Sequence, residues 1–509
     1  MKLGELCDYL EGARYYGPRD FCREITGIAC DSRKVVSGNL FVAVSGTRAD
    51  GHDFAHDVAA RGAAAIVTEK MVHLPKNIPH IVVPSSVVAV ASLASGFCGV
   101  PSKRLSIVGI TGTNGKTTTA YLLYSMLRAS AKKVNILGTI HYQVGNKLID
   151  STQTTPGPIE LHRLFREMLD LGTTHVVMEV SSHALAQGRT HGIEFQGAVF
   201  TNLTTDHMDY HSSLANYREA KAELFKTLPR EAFAVFNRDD YASLYLNLGT
   251  RARTFWYGLG NGSGVRVELM DAYLGGMDIR LYNEQEEVVV STRLMGSHNL
   301  YNILAASTAA VAMGVSLEDV KAGVESLALV PGRLEKVVNT NGYSVFVDYA
   351  HTPDALEAVL TALSPLVKNR LLLVFGCGGD RDKGKRPLMG HIGEKYSEYL
   401  WVTSDNPRTE QPMNIIKDIE SGISGKTYSI EPDRKRAIEA AIKEAGKGDV
   451  VLIAGKGHEG TQIFADRIIP FDDREVVREM LTKNRTFRDV EGEEVVSPKQ
   501  KAYAGVSLA

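Results

Sequence analysis

Residues 105–118 read LSIVGITGTNGKTT, and this stretch decides the expected fold. The apolar run 105–110 predicts a buried strand, and residues 118–130, which contain neither Gly nor Pro, predict a helix. A loop between a strand and a helix collects backbone N–H groups into an anion site, where a lysine reaches the outer phosphates and the next threonine holds Mg²⁺. The stretch therefore predicts a site for a nucleoside triphosphate.

The loop is shorter than the full phosphate-binding motif, because Ile110 stands where that motif requires a glycine. The alternative for the remaining GxxGKT pattern is a glycine-rich turn with a surface lysine. The strand before the loop and the helix after it favour the phosphate site. The residues expected to contact the nucleotide here are Gly112, Thr113, Asn114, Gly115, Lys116, Thr117 and Thr118.

Length and composition argue against several classes of protein. At 509 residues the chain has room for about three domains. Its 57 basic and 59 acidic residues give a net charge of −2, so no overall field favours nucleic acid or an anionic membrane. The five cysteines form no CxxC pair, which argues against a disulfide framework or a zinc site and fits a reducing cytoplasm. No run reaches the ~18 apolar residues of a membrane span.

Apolar runs of strand length alternate with longer helical patterns along most of the chain, as at residues 64–67, 134–137, 176–180, 371–375 and 450–454. Continuous apolar strands separated by helices predict mostly parallel sheets with helices on both faces, which is the α/β class. The segments 99–103 and 330–333 mark two boundaries. The predicted domains are 1–100, 101–330 and 331–488, followed by a charged tail at 489–509.

Two polar features downstream of the loop are candidates for a metal site. Glu179 follows the apolar run 176–178, the place of a Mg²⁺-binding acid in phosphate-loop proteins, although any strand can end in an acidic residue. Two His and two Asp fall within residues 206–211, a density that fits either a polar site wall or a hydrogen-bonded turn. The presence of Thr117 favours the metal role for Glu179.

Three polar loops follow strands in the last third of the chain, at 376–386, 405–408 and 454–459. Ligands of open α/β sheets bind beyond the carboxyl ends of the strands, so these loops are expected to face one site. The GxGG pattern at 376–379 is weak evidence for a dinucleotide, and the charged residues after it favour an anionic or zwitterionic ligand. Arg408 can clamp a carboxylate through two parallel hydrogen bonds.

Taken together, these segments resemble the Mur ligases, the ATP-dependent amide-forming enzymes of peptidoglycan synthesis. The resemblance runs from Asp31 to about Glu459, through a series of motifs in the order that the family has. The matching segments are 31–33, 112–118, 154–156, 179–183, 202–207, 217–221, 296–302, 331–333 and 348–351. The short GxxGKT loop is itself the form of this family.

The resemblance implies three α/β domains: a small N-terminal domain for the UDP part of the substrate, a central ATP-binding domain with a mostly parallel sheet, and a Rossmann-like C-terminal domain for the amino acid. It implies transfer of the γ-phosphoryl group of ATP to the D-glutamyl side-chain carboxylate, and then attack of an amine on the acyl phosphate. The expected partners are UDP-N-acetylmuramoyl-L-alanyl-D-glutamate, meso-diaminopimelate and ATP, with no nucleic acid and no membrane span. We expect a monomer in the cytoplasm.

The expected amine depends on residues 405–408, which are similar to the form in family members that add meso-diaminopimelate. Members that add L-lysine lack an arginine at the position of Arg408. Diaminopimelate carries a second carboxylate at its far end, which a guanidinium attracts, whereas the same guanidinium repels the side-chain ammonium of lysine. L-lysine is the alternative amine.

The same resemblance assigns roles to individual residues. Thr117 and Glu179 would hold one Mg²⁺, and His207 and a carbamate of Lys221 would hold a second. The residues expected to carry the chemistry are Lys116, Glu179, His207 and Lys221, and the further ATP contacts are Asn299, Arg333 and Asp348. The contacts to the UDP-muramoyl dipeptide are Ser32, Thr47, Arg48, Ala49, Thr154, Thr155, Ser181, Gln187 and Arg189. The contacts to diaminopimelate are Arg381, Asp405, Asn406, Pro407, Arg408, Gly455 and Glu459.

Two other interpretations stay open at this point. A folylpolyglutamate-type ligase shares the central fold and the chemistry, but the segments 31–33 and 405–408 argue against it. A non-catalytic nucleotide-binding protein could keep the fold alone. Intact Lys116, Glu179 and His207, together with Lys221, argue against that interpretation.

Overall fold

A computed structural model describes residues 1–46, 49–260, 264–338, 341–425 and 427–490. The helices of these residues are α1 Leu3–Cys7, α2 Ala55–Ala60, α3 Ser86–Phe97, α4 Lys116–Ala129, α5 Pro158–Asp170, α6 Ser182–Ala186, α7 Met208–His211, α8 Leu214–Lys226, α9 Ala242–Leu248, α10 Ser297–Ala312, α11 Leu317–Ser326, α12 Pro353–Leu363, α13 Lys385–Tyr396, α14 Pro412–Glu420, α15 Arg434–Glu444 and α16 Asp473–Val490.

The strands of the same residues are β1 Arg14–Tyr16, β2 Gly27–Ala29, β3 Asn39–Val42, β4 Ala65–Thr68, β5 His80–Val82, β6 Ser106–Thr111, β7 Val134–Leu137, β8 His141–Val144, β9 Lys147–Asp150, β10 His175–Glu179, β11 Gly197–Phe200, β12 Phe233–Asn237, β13 Arg253–Tyr257, β14 Arg266–Tyr273, β15 Gly276–Tyr282, β16 Glu287–Thr292, β17 Glu335–Val337, β18 Ser344–Asp348, β19 Leu371–Phe375, β20 Tyr399–Val402, β21 Tyr428–Ile430, β22 Val450–Ala454, β23 Thr461–Ile463 and β24 Ile468–Pro470.

The largest sheet has the strand order β13-β12-β11-β6-β10-β7-β8-β9. Strands β13 to β7 of that order are parallel, and β8 and β9 are antiparallel additions at one edge. The parallel strands are buried along most of their length, as the continuous apolar runs predict. One face packs on α4, α10 and α11, and the other on α5 and α8. Strand β6 lies at the centre, so the loop after it opens at the middle of the sheet.

A second parallel sheet forms from the later part of the chain, in the order β17-β18-β22-β19-β20-β21. Only β17 is antiparallel to its neighbour. Helices α12, α13 and α14 cover one face, while α15 and α16 cover the other. The three predicted polar loops follow β19, β20 and β22, so they meet at the carboxyl edge of adjacent strands.

The N-terminal part of the chain folds around a sheet of its own, with the order β1-β5-β4-β3-β2. Neighbouring strands of this sheet are parallel, except that β1 is antiparallel to β5. The small antiparallel sheet β14-β15-β16 packs its apolar side chains into the core that α4 and α10 share. The α/β prediction is therefore confirmed, with mostly parallel sheets flanked by helices.

The C-terminal helix α16 extends to Val490, two residues into the predicted tail. The rest of that tail, 491–509, lies outside the described residues. In the part of the chain that the structure describes, none of the helices has the length and apolar character needed to cross a membrane.

Candidate active site

The predicted phosphate loop lies between β6 and α4, at the centre of the large sheet. The N–H of Thr113 donates to the carbonyl of Asn202 (2.8 Å), and the N–H of Asn114 donates to the Asn202 side-chain oxygen (2.9 Å). Gly115 has a φ of 82°, and a Cβ there would overlap Oδ1 of Asn302. A glycine is required because the loop turns sharply and α10 lies against it.

Two lysine side chains meet at a single carbonyl of this loop. The Gly112 oxygen accepts hydrogen bonds from Nζ of Lys116 (2.9 Å) and from Nζ of Lys221 (2.8 Å), although 109 residues separate Gly112 from Lys221. Burial lowers the pKa of both lysines, and the charge of Lys116 lowers the pKa of Lys221 further. No carboxylate of the described residues forms an ion pair with either group.

Lys221 is 1% exposed, deep in the helix α8. Its Nζ lies 4.2 Å from the ring centre of Tyr217, one turn earlier in the helix. The Tyr217 hydroxyl in turn donates to Oγ1 of Thr113 (3.2 Å). The Lys221 side chain is thus buried and aimed at the phosphate loop, and it is not a solvated lysine on the helix surface.

Glu179 ends strand β10 beside the phosphate loop, with no exposed surface. Its Oε2 accepts hydrogen bonds from the hydroxyls of Thr117 (2.9 Å) and Thr139 (3.0 Å). Its Oε1 accepts one from the N–H of Thr139 (2.8 Å). The carboxylate and the Thr117 hydroxyl are therefore adjacent, as the sequence predicts for a Mg²⁺ pair.

His207 lies at the start of α7 with a left-handed backbone, φ 57°. Its Nε2 is 3.4 Å from Oδ2 of Asp206, and its ring centre is 4.7 Å from that of His183. Burial lowers the pKa of His207 to about 4 against the opposing charge of Asp206. A neutral imidazole is the form that binds a metal ion.

A cavity of about 350 Å³ opens beside the loop, between the large sheet and the elements that follow Arg333. That volume lies in the range of small-molecule sites. All three further ATP candidates line it, together with Asn114, Gly115, Thr117 and Thr118. Arg333 spans the cavity, because its Nη2 donates to Oγ1 of Thr117 (3.2 Å) while its guanidinium lies 4.6 Å from the Tyr349 ring centre.

The other two ATP candidates are held by short-range hydrogen bonds. The Asp348 carboxylate accepts from the N–H groups of Leu334 (2.6 Å) and Ala350 (2.7 Å), and burial raises its pKa. Nδ2 of Asn299 donates to the Met295 carbonyl (2.7 Å), which orients this side chain at the start of α10.

Five residues predicted to hold the muramoyl dipeptide form one group beside Glu179. The Thr154 hydroxyl is 3.1 Å from that of Thr139. The Thr155 hydroxyl donates to the Glu179 carbonyl (2.9 Å) and accepts from the N–H of Ser181 (3.0 Å). Arg189 donates through Nη1 to the Thr155 carbonyl (3.0 Å) and through Nε to Oε1 of Gln187 (2.9 Å).

The predicted contacts to the UDP part lie apart from this group, on the N-terminal sheet. The Ser32 carbonyl accepts from Nη1 of Arg61 (2.9 Å), and the Ala49 carbonyl accepts from the N–H of Gly46 (2.9 Å). Thr47 and Arg48 lie outside the described residues.

The loops after β20 and β22 interlock around Asn406. Its Nδ2 donates to Oε2 of Glu459 (2.8 Å), and its Oδ1 accepts from Nζ of Lys456 (3.0 Å). Lys456 also pairs with Glu459 (3.0 Å) and is fully buried. Asp405 lies against Gly455, where a Cβ would stand 2.8 Å from Oδ2 of Asp405.

Arg408 follows Pro407 in this cluster and has a left-handed backbone, φ 53°. Its Nη1 donates to the Gly379 carbonyl (2.7 Å), which joins the loop after β20 to the loop after β19. Arg381 lies in that same loop, with Nη1 donating to the Asp380 carbonyl (3.3 Å). The structure thus brings the predicted amine contacts of all three loops together.

Several residues of the site were not assigned a role from the sequence. Lys456 lies in the polar loop 454–459. Only its complete burial and its bond to Asn406 reveal that it joins this loop to the loop after β20. Tyr217 and Asn302 lie in the matching segments 217–221 and 296–302. Their contacts with the phosphate loop show that both belong to the site. Helical spacing could have found Tyr217, since it lies four residues before Lys221.

Metal ligands at the phosphate loop are few in number. In residues 1–490, leaving aside the undescribed gaps, no three His, Cys, Asp or Glu side chains converge on one point as a metal group. Mg²⁺ usually takes one or two carboxylates and completes its shell with water and substrate phosphates. The buried Glu179 carboxylate beside the Thr117 hydroxyl fits that pattern.

Family models match three parts of the chain. The model described as Mur ligase middle domain matches residues 110–310, and the model described as Mur ligase, glutamate ligase domain, matches residues 332–457. The model described as Mur ligase family, catalytic domain, matches residues 24–95.

Curated relatives are similar over nearly the full length. UDP-N-acetylmuramoyl-L-alanyl-D-glutamate--2,6-diaminopimelate ligase of Geobacillus kaustophilus is 46% identical over 487 residues, covering 94% of this chain and 99% of the relative. The protein of the same name from Solibacter usitatus is 44% identical, covering 94% of this chain and 98% of the relative.

Solved structures share the fold over most of the chain. A structure of a ligase of that same name has a TM-score of 0.69 and 32% identity, covering 95% of this chain and 99% of its own. A MurF ligase from Thermotoga maritima in complex with ADP has a TM-score of 0.62 and 22% identity, covering 92% of this chain and 99% of its own. A folylpolyglutamate synthase of Mycobacterium tuberculosis reaches a TM-score of 0.61 at 18% identity, covering 77% of this chain and 94% of its own, a likeness of fold alone.

Proposed function

The chain belongs to the Mur ligase family, and on that premise we propose that it joins meso-diaminopimelate to the D-glutamyl side-chain carboxylate of UDP-N-acetylmuramoyl-L-alanyl-D-glutamate, at the expense of ATP. The observation that carries the proposal is the position of Arg408. Its guanidinium lies on the Gly379 carbonyl, at the mouth of a loop cluster that also presents Asp405 and Glu459. A cation and two acids in one loop cluster suit a zwitterionic amino acid.

The first step activates the carboxylate. One oxygen of the D-glutamyl carboxylate forms a bond to the γ-phosphorus of ATP, the bond from that phosphorus to the bridging oxygen breaks, and ADP leaves with the electron pair. Both reactants are anions, so the site must hold them together against repulsion. Lys116 supplies positive charge at the loop, and Arg333 supplies it from the opposite wall of the cavity.

The second step forms the amide. The diaminopimelate nitrogen bonds to the acyl carbon, and the tetrahedral intermediate then expels phosphate with the electron pair of the breaking C–O bond. The nitrogen gives up a proton in the process. Thr155, Ser181 and Arg189 are joined to the strand end at Glu179, and this position suits them to hold the muramoyl dipeptide beside the nucleotide.

Mg²⁺ fits the residues at the phosphate end. Thr117 and Glu179 would hold one ion, and His207 with a modified Lys221 would hold a second. Bound there, Mg²⁺ supplies neutralisation of the charge that develops on the transferring phosphoryl oxygens. His207 has the neutral ring that such a role needs, because burial lowers its pKa to about 4 and the imidazole is therefore uncharged at physiological pH.

The proposed modification of Lys221 is a carbamate. A neutral lysine nitrogen adds to the carbon of CO₂ and releases one proton, which turns a cation into an anion. Burial and the nearby charge of Lys116 lower the pKa of Lys221 well below its usual value, so the reactive neutral form is favoured. The side chain already points at the Gly112 carbonyl, next to the proposed metal residues.

The domain boundaries near residues 100 and 330 are part of the same proposal. ATP residues come from both sides of Arg333, so the third domain must close on the second before the chemistry, with residues 330–333 as the hinge. We place the reaction in the cytoplasm and assign it to a monomer. All five cysteines are free thiols, which suits a reducing compartment.

A competition assay tests the proposed function. The protein receives ATP, Mg²⁺, UDP-N-acetylmuramoyl-L-alanyl-D-glutamate, and equal amounts of meso-diaminopimelate and L-lysine, and the products are separated by mass. The expected product carries diaminopimelate, and phosphate release requires both the dipeptide and an amine. Preference for L-lysine would overturn the choice of amine, and no phosphate release with either amine would overturn the ligase.

A further inference from the structure

The loop that carries Arg408 is held in place by the carboxylate of Glu410. Oε1 of Glu410 accepts hydrogen bonds from the N–H of Asp380 (2.6 Å) and from Nη2 of Arg386 (2.8 Å). Its Oε2 accepts from Nη1 of Arg386 (3.0 Å). Glu410 lies two residues after Arg408, so the bond from its carboxylate to Asp380 connects the loop after β20 to the loop after β19.

Arg386 completes the lock from inside the domain. It lies in the first turn of α13 with no exposed surface, and its Nη2 also donates to the Gly378 carbonyl (3.2 Å). Its Nη1 makes a further bond to Asp418 on α14 (2.8 Å). One guanidinium therefore holds Gly378 and Glu410, which belong to the two loops.

The two loops also bind each other directly. The N–H of Gly379 donates to the Asn406 carbonyl (2.9 Å), and the Thr409 hydroxyl donates to Oδ1 of Asp380 (2.6 Å). A Cβ on Gly379 would overlap the Pro407 carbonyl, so the backbones touch. The Arg408 bond to Gly379 is made within this contact.

Both loops hold a residue in the left-handed backbone region, Asp380 with φ 54° and Arg408 with φ 53°. Such conformations are unfavourable for residues other than glycine and persist only where the surrounding structure enforces them. The N–H of Asp380 is one of the groups that Glu410 binds. Removing that carboxylate releases one of the two strained turns.

We propose that Glu410 and Arg386 are positioning residues that set the orientation of Arg408, and so the affinity and selectivity for the far end of diaminopimelate. The inference rests on the proposed function for the identity of the amine. The hydrogen bond to Arg386 keeps the pKa of Glu410 at about 2, so the carboxylate stays charged at working pH.

Asp418 provides the matched control. It binds the same guanidinium but lies on α14. In the described part of the chain its carboxylate makes no hydrogen bond to either loop, and its side chain is 43% exposed. If Arg386 serves only the stability of the domain, loss of either acid should have a similar effect. If it serves Arg408, the two acids differ.

Steady-state kinetics test the inference with Glu410→Ala, Glu410→Gln and Asp418→Asn in the full chain. In Glu410→Ala we expect the KM for diaminopimelate to rise roughly ten- to a hundredfold, the range for a lost charged hydrogen bond. The KM values for ATP and the UDP dipeptide should stay within about twofold, Glu410→Gln should recover part of the loss, and Asp418→Asn should match the unmodified protein. An equal rise of all three KM values, or an effect of Asp418→Asn as large as that of Glu410→Ala, would overturn the inference.

Amide hydrogen exchange separates this inference from the proposed function. In Glu410→Ala the amides of residues 379–381 and 408–410 should exchange faster, with the phosphate loop unchanged. Unchanged exchange in both loops would refute the proposal that Glu410 holds the loops in place, whichever amine the enzyme uses. If the unmodified protein turns over no diaminopimelate, the proposed function fails and the role in amine selection fails with it, while the exchange result still decides whether the lock exists.

Discussion

The two ends of the candidate site, the phosphate loop and the amine-binding loops, differ in whether their cations are paired with carboxylates. At the phosphate end, Lys116 and Lys221 share the Gly112 carbonyl, and the described residues offer neither of them an ion pair. At the amine end, the buried cations have carboxylate partners: Arg386 pairs with Glu410, and Arg434 with Asp473. Within the part of the chain that the structure describes, the two lysines of the first end have no carboxylate partner in an ion pair, whereas the buried arginines of the second end are each paired with an acid.

The difference separates cations that meet a ligand from cations that hold the fold. A buried charge is costly unless it is paired, so an unpaired one is best explained by an anion that arrives later. At the amine end Arg381 is exposed and Arg408 is half-buried, and in the described part of the chain both side chains bond only to carbonyls, so a ligand can reach their charges. Both were predicted from the sequence to contact diaminopimelate.

The largest expected effect is at the phosphate loop. Lys116→Met should lower kcat roughly 10²–10³-fold, because the charge that faces the transferring phosphoryl group is lost. Phosphate release in the presence of all three substrates measures it. Lys132→Met is the control, since this exposed lysine lies beyond the far end of α4. A Lys116→Met enzyme with more than about a tenth of the activity would break the contrast between the two ends.

The next effect concerns the second unpaired lysine. Lys221→Ala should lower kcat roughly a hundredfold, since an anion proposed for the metal site is lost. Added formate or acetate should restore part of the activity by occupying the space of the carbamate. Mass spectrometry of the native protein and carbon NMR with labelled CO₂ look for the modification directly. An unmodified Lys221 in the active, nucleotide-bound enzyme would refute the carbamate.

The amine end should respond in selectivity more than in turnover. Arg408→Ala should weaken the use of diaminopimelate by about 1.5–3 kcal/mol in kcat/KM, the free energy of a charged hydrogen bond. The ratio of diaminopimelate to lysine product measures this loss. Arg467→Ala, at an exposed arginine paired with Asp466 on the hairpin β23–β24, should leave the ratio unchanged. Unchanged selectivity in Arg408→Ala would refute the clamp.

The smallest expected effect is on stability in mild acid, and it compares a buried histidine in the core beside the large sheet with Glu410 at the amine end. His162 is fully buried in the core beside the large sheet, and burial lowers its pKa to about 4. The unfolded chain therefore binds more protons than the native state between pH 6.5 and 4, so stability falls as the pH drops through that window. The expected loss from this group is about 1 kcal/mol between pH 6.5 and 5.5.

Thermal unfolding at several pH values checks this last prediction. His162→Leu should flatten the dependence in that window, whereas Glu410→Gln should leave its slope unchanged, since Glu410 keeps a pKa of about 2. An identical slope in His162→Leu and the unmodified protein would contradict the assignment to His162.

The phosphate end could be predicted from the sequence because its parts are contiguous. Strand β6, the loop and α4 occupy one unbroken stretch, and local periodicity with glycine spacing reports such a unit directly. The position of Glu179 could also be predicted, since a charged residue that ends an apolar run is expected at the end of a strand. The burial of Lys221 was not, because α8 reads as an ordinary exposed helix in sequence.

The amine end was only partly within reach. The three loops were predicted to face one site, since each follows an apolar strand. Their mutual bonds were not predictable: Glu410 to Arg386, Lys456 to Asn406 and Arg408 to Gly379 join residues 24, 50 and 29 positions apart. Pairing over such distances depends on which strands are neighbours and how far each loop reaches.

The sequence by itself determined the α/β class, the phosphate loop and the residue types that an amide ligase needs, because each depends on short-range patterns of apolar, glycine and charged residues. Only the tertiary structure decided which charges are paired. Two lysines distant in sequence meet at one carbonyl because α8 directs Lys221 at the loop between β6 and α4, where Lys116 begins the helix. Other buried cations are paired with acids, Arg386 with Glu410, Arg434 with Asp473 and Lys456 with Glu459, because an unpaired charge in the protein interior is costly.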